Sequence, residues 1–149
     1  MDTHVNFEKF CNEAQLWVHE IARDMRAPER TDWALHALRA VMHTLRDRTT
    51  VQEVFHLSAQ MPTLIRGFYF EGYDPRNKPV KMNAEEFLAS VKNRMGPGVE
   101  VPAGEAVRAV MSVLYDKVSR GELDDIRGSM PKDIQKIWDH LMPEESETD

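Results

Sequence analysis

The chain has 149 residues, 42% of them apolar and 30% charged, and carries a formal net charge of −6. That length suits one domain with a sizeable core, and that balance is unlike a disordered chain. The acidic excess argues against nucleic-acid binding by bulk electrostatics, which needs a concentrated positive surface.

The N-terminal residues MDTHVNFEKF lack the basic start and apolar centre of a secretory signal. No apolar run approaches the roughly 18 residues of a membrane span. Cys11 is the single cysteine, so no internal disulfide can form, and a reducing, cytoplasmic setting is expected.

The first helix is predicted from about Val5 to Met25, because Phe10, Cys11, Ala14, Trp17, Val18, Ile21 and Met25 recur at helical steps. Cys11 falls on that stripe and is expected to be a small buried hydrophobe. A loop with Pro28 follows, and Thr31 or Asp32 can cap the second helix. That helix turns Ala34, Leu35, Leu38, Val41, Met42 and Leu45 inward and ends near Arg48. Thr50-Val-Gln-Glu53 then has the spacing of a capping box, in which hydroxyl and carboxylate each satisfy the other's backbone donor. A short third helix carries Val54, Phe55 and Leu57, and Pro62 opens a fourth. Residues 67–81 form an aromatic, glycine-rich and basic linker. A second lead helix begins at Asn83 and stops at Gly96-Pro97-Gly98.

From Ala106 to Trp138 the chain repeats Ala37 to Tyr69 without a gap, with 11 of the 33 positions identical. Unrelated sequences would share about two. Ser119-Arg-Gly-Glu122 repeats the capping-box spacing and Met130-Pro131 repeats Met61-Pro62. The expected fold is therefore all-α: two tandem, similar bundles of about four helices each, packed through the proline-started helices and linker aromatics. The predicted layout is a first repeat over 1–72, a linker over 73–82, a second repeat over 83–142 and an acidic tail over 143–149. Each half alone would bury too little, so the two are expected to unfold as one domain.

Catalytic and metal signals are weak. Glu53 and Glu122 form a repeated pair of acids, but capping explains both their type and their spacing. His36 and His43 stand about 10 Å apart along one helix, too far to share an ion. Ser112 and Asp125 stand in the second repeat where His43 and His56 stand in the first. No catalytic residue, metal site or cofactor is expected. Arg39 with Asp47 and Arg108 with Asp116 could pair reciprocally across the halves, but solvated faces are the simpler expectation.

The linker offers the best candidate surface: Arg66, Tyr73, Arg76 and Lys78 mix a ring with positive charge. Phe68 and Tyr69 are expected to be packing residues, because Ile137 and Trp138 stand in their places in the second repeat. Gly67 and Gly72 would allow close helix packing and a tight exit turn.

The run Ala59-Gln-Met-Pro-Thr-Leu-Ile-Arg-Gly-Phe-Tyr-Phe-Glu-Gly-Tyr-Asp-Pro75, preceded by Leu38-Arg-Ala-Val-Met-His-Thr-Leu-Arg-Asp47, resembles the bacterial domain-of-unknown-function 2267 family. Gly121-Glu-Leu-Asp-Asp-Ile-Arg and Met130-Pro131 extend the resemblance over about Phe7 to Trp138. Met61 and Met130 stand where that family usually has leucine, and Tyr73 where tryptophan is common. The resemblance implies an all-helical prokaryotic protein and brings no catalytic residues with it. The expected function is a non-catalytic helical interaction module for a protein partner or a second copy, with no nucleic acid and no membrane involved. The competing expectation is a small-molecule or nucleotide binder using a cleft between the repeats near Arg66, Tyr73 and Arg76.

Overall fold

A computed structural model of the chain describes residues 3–142. Eight helices make up the described residues: α1 (Glu8–Asp24), α2 (Thr31–Asp47), α3 (Val51–Ser58), α4 (Thr63–Phe70), α5 (Ala84–Met95), α6 (Ala103–Lys117), α7 (Arg120–Gly128) and α8 (Lys132–Leu141). No strand occurs among those residues. The acidic tail predicted over 143–149 lies outside them.

Apolar core residues that correspond in the repeat are buried in both halves. Met42 and Met111 are both buried, as are Leu45 and Leu114, Val54 and Leu123, Leu57 and Ile126, Ile65 and Ile134, and Tyr69 and Trp138. Each such side chain contributes roughly 1.5–3 kcal/mol when fully withdrawn from water. All belong to one continuous core cluster drawn from both halves.

The halves dock crosswise. Lead helix α1 packs on its own α2 and on α6 of the other half, while α5 packs on α6 and on α2. The seam is completed by α2 against α6 and α3 against α7. Exchanging the halves maps this set of pairings onto itself, the pattern of a pseudo-two-fold. Packing through the proline-started helices was expected, but α4 lies on α1 and α2 and α8 lies on α5, α6 and α7, within their own halves. The reason is length: the two long helices and the lead helices offer longer apolar stripes than α4 or α8 can.

Local details correct several expectations. None of residues 3–13 is buried and Cys11 is exposed, because the first turns of α1 extend past the helices that cover Ala14, Trp17 and Ile21. Arg30, not Thr31 or Asp32, is the N-cap of α2, and its guanidinium holds the Asp32 carboxylate instead. Pro62 and Pro131 are N-caps of α4 and α8 with extended backbone, one residue earlier than a first-turn proline. Gly72 adopts a φ of 67° at the exit from α4, as a tight turn requires. Gly67 faces open space, so close helix packing does not explain it.

Candidate functional site

The four linker candidates do not converge on one open site. Arg66 donates from Nε to the Ser58 carbonyl and from Nη2 to the Met61 carbonyl, both at 2.9 Å, and so ties α4 to the turn that joins it to α3. Gln135, its counterpart in the repeat, donates to the Met130 carbonyl at the same 2.9 Å, which marks the role as architectural. Arg76 grips Asp74 with two nitrogens and holds that carboxyl down at about 2. Lys78 donates to the Arg76 carbonyl and lies 5.8 Å from the Tyr73 ring centroid. Tyr73 is half-buried against Phe70, with the Arg46 guanidinium 5.3 Å from its ring. Burial pushes its phenol up, and the hydroxyl has no hydrogen-bond partner. A small apolar dent, about 20 Å³ and open to solvent, lies elsewhere, lined by Ala84, Phe87, Val107, Ile134, Ile137 and Trp138.

Arg46 was not singled out by the sequence, although it sits in the apolar half of α2. It is buried and donates to the Tyr69 and Glu71 carbonyls at 2.6 Å, and to Asp47 at 3.2 Å. Asp47 in turn receives Arg94 of α5 at 2.8 Å, and its carbonyl receives the Val80 amide of the linker at 2.7 Å. Tyr115, the counterpart of Arg46, accepts from Trp138 Nε1 at 2.8 Å. In both halves the same position of the long helix thus secures the end of the proline-started helix. The reciprocal Arg39–Asp116 and Arg108–Asp47 pairs do not form: Arg39 holds Glu71, and Arg108 holds Glu105 and the Asp24 carbonyl. Nor does Asp47 lie on a solvated face, since its side chain is only 16% exposed.

The repeated acids carry the least expected geometry. The Thr50 and Ser119 hydroxyls accept from the Glu53 and Glu122 amides, at 3.3 and 3.2 Å. The return bonds of a capping box are made at neither helix. At α5 the box is complete: Glu86 Oε1 accepts the Asn83 amide at 2.8 Å and Asn83 accepts in return. Glu53 and Glu122 are turned into the α3–α7 seam instead. There, ligand-type atoms of Glu53, His56 and Glu122 all lie within 4.8 Å of one another. Glu53 Oε1 and Glu122 Oε2 are shielded from solvent without a hydrogen-bond partner. His56 Nδ1 stands 3.6 Å from Glu53 Oε1. Burial, then the neighbouring Glu53 carboxylate and Asp125, push Glu122 up to about 7. Sequence reading assigned these acids to capping because it could see the spacing within each repeat but not the meeting of the two repeats.

The fold and these sites define an all-helical domain of two similarly built halves, closed by a polar seam between their short helices. A family model described as "Uncharacterized conserved protein (DUF2267)" matches residues 14–137. The chain belongs to that family. A search of curated proteins finds no match. No helix among the described residues is long and apolar enough to cross a membrane.

Proposed function

We propose that the chain is a non-catalytic helical interaction module that docks a protein partner, a second copy of itself included, through the outer face of α3 and α4. One asymmetry between the halves carries this reading. Phe55 and Leu64 are 54% and 37% exposed, and the positions that match them in the repeat are Asp124 and Asp133. Carried one residue past the repeat, the same offset pairs Phe70 with Asp139. At the Phe55 and Leu64 places the second half carries a charged residue, so packing there does not require an apolar one, whereas Phe70 is half-buried against the core. An exposed ring and an exposed leucine where the other copy has acids favour recognition of another apolar surface. The Phe55 and Phe70 rings touch at 5.3 Å, and Tyr73 joins them at 6.1 Å from Phe70, with Lys78 at its edge.

The competing small-molecule reading has less support, because the Arg66 and Arg76 guanidiniums are already engaged by carbonyls and by Asp74. A cytoplasmic setting suits the module, whose single cysteine is exposed and unpaired.

The test uses Phe55→Asp together with Leu64→Asp, which import the residues of the second half and should leave the fold intact. Sedimentation velocity over a concentration series, with capture from a lysate at low salt, compares this variant with the parent chain. The parent is expected to self-associate or retain a partner and the variant to lose that ability. A strictly monomeric parent that retains nothing would refute the reading, and so would a variant that behaves like the parent.

A further inference from the structure

The α3–α7 seam holds an arrangement that interaction does not use. We propose that Glu53, His56 and Glu122 form a binding site for a divalent first-row transition-metal ion such as Zn²⁺, shared between the two halves of the chain.

Three observations carry this. First, the donor set is right: two carboxylates and an imidazole, with Glu53 and His56 three residues apart on one helix turn and Glu122 supplied by the facing helix. Imidazole favours transition ions over Mg²⁺ or Ca²⁺, which take nearly all-oxygen shells. Second, the distances are close to what an ion needs. Bonds of about 2.0–2.1 Å in a tetrahedron put ligand atoms roughly 3.4 Å apart. The present spacing, within 4.8 Å, exceeds that by no more than about 1.4 Å. His56, 54% exposed at its side chain, has the freedom to move and leaves a path from solvent.

Third, the carboxylates behave as ligands in waiting. Each helix N-terminus has a backbone amide that its glutamate could cap, as Glu86 does at α5, yet both glutamates forgo it. Their inner oxygens are instead withdrawn from water and left without hydrogen bonds, facing one another. Two half-buried carboxylates with their shielded oxygens in that position repel, and a cation between them removes the conflict. With three protein ligands the ion keeps an open position, which water or a partner's side chain could occupy.

The experiment uses the full chain stripped with a chelator. Zn²⁺ binding is followed by calorimetry, and Co²⁺ binding by its visible absorption. One equivalent of each is expected to bind, with Zn²⁺ displacing Co²⁺. Glu53→Gln, Glu122→Gln and His56→Ala should each weaken binding by at least about tenfold, since even changes one shell beyond the ligands cost that much. His36→Ala, an exposed histidine away from the seam, should leave affinity unchanged. The two glutamine variants are isosteric and relieve repulsion, so retained helical circular dichroism is expected of both. The proposal is overturned if neither ion saturates at one equivalent, if the three variants bind like the parent, or if Mg²⁺ or Ca²⁺ binds while Zn²⁺ and Co²⁺ do not.

Discussion

The Glu53 and Glu122 carboxylates, at matching positions of the two repeats, meet across the α3–α7 seam with their inner oxygens shielded from water. The pairing gives the metal-free chain a defined pH response. Glu122 is raised from 4.5 to about 7, by burial first and then by Glu53 and Asp125. The folded state therefore keeps a proton at Glu122 that the unfolded state releases at about 4.5. The stability due to this proton is fully present below 4.5 and is lost as pH rises through about 7. The groups facing Glu122 are Glu53 and His56 from α3 and Asp125 from its own helix. Urea unfolding in chelator on either side of that window should show Glu122→Gln gaining on the parent at the higher pH. Equal differences at both ends would contradict the pairing.

Arg46→Met tests the polar anchor of the first half. The substitution keeps the buried stem but leaves the Tyr69 and Glu71 carbonyls and Asp47 without this donor. A loss of about 3–5 kcal/mol is expected from equilibrium unfolding, the range for breaking a buried charged pair. A loss below about 1 kcal/mol would place the guanidinium in the class of surface charges.

Met42→Ala and Met111→Ala probe the likeness of the halves. Both residues are buried in the long helices, at 1% and 3% exposure. Each truncation should destabilise by about 2–5 kcal/mol. The two losses should agree within about 1 kcal/mol, since both side chains are withdrawn from water to the same extent in one core. Denaturant midpoints provide the comparison.

Cys11 provides a chemical check on the start of α1. Its thiol is exposed, so it should react with a disulfide reagent in the native protein at the rate of a free cysteine, with little change in melting temperature. Protection until global unfolding would mean that α1 is covered.

Much of this architecture could be read from residues alone. Apolar spacing placed the helices, and the repeat foretold which side chains share burial, as Val54 with Leu123 and Ile65 with Ile134 show. Periodicity misled at Cys11, because a stripe records which face could be buried and not how far a neighbouring helix extends. The crosswise docking of α1 on α6 and α5 on α2 was not legible, since each lead helix has one apolar face and nothing local tells which long helix it will meet. Arg46 escaped notice for a related reason: a charged residue on an apolar face reads as an exception until its acceptors, in a distant turn, are placed beside it. Glu53 and Glu122 escaped because a sufficient local explanation, capping, was available for each.

Native-state hydrogen exchange on the unmodified chain bears most directly on the claim that two matching halves share one core. The segments Leu38 to Val41 of α2 and Val107 to Val110 of α6 contribute to the same buried cluster, so their amides are expected to be the slowest to exchange. The crosswise packing predicts that both sets exchange with one common free energy, equal to that of global unfolding. If α6 opened at a clearly lower free energy while α2 stayed protected, the halves would be separate folding units, and the shared core would not exist.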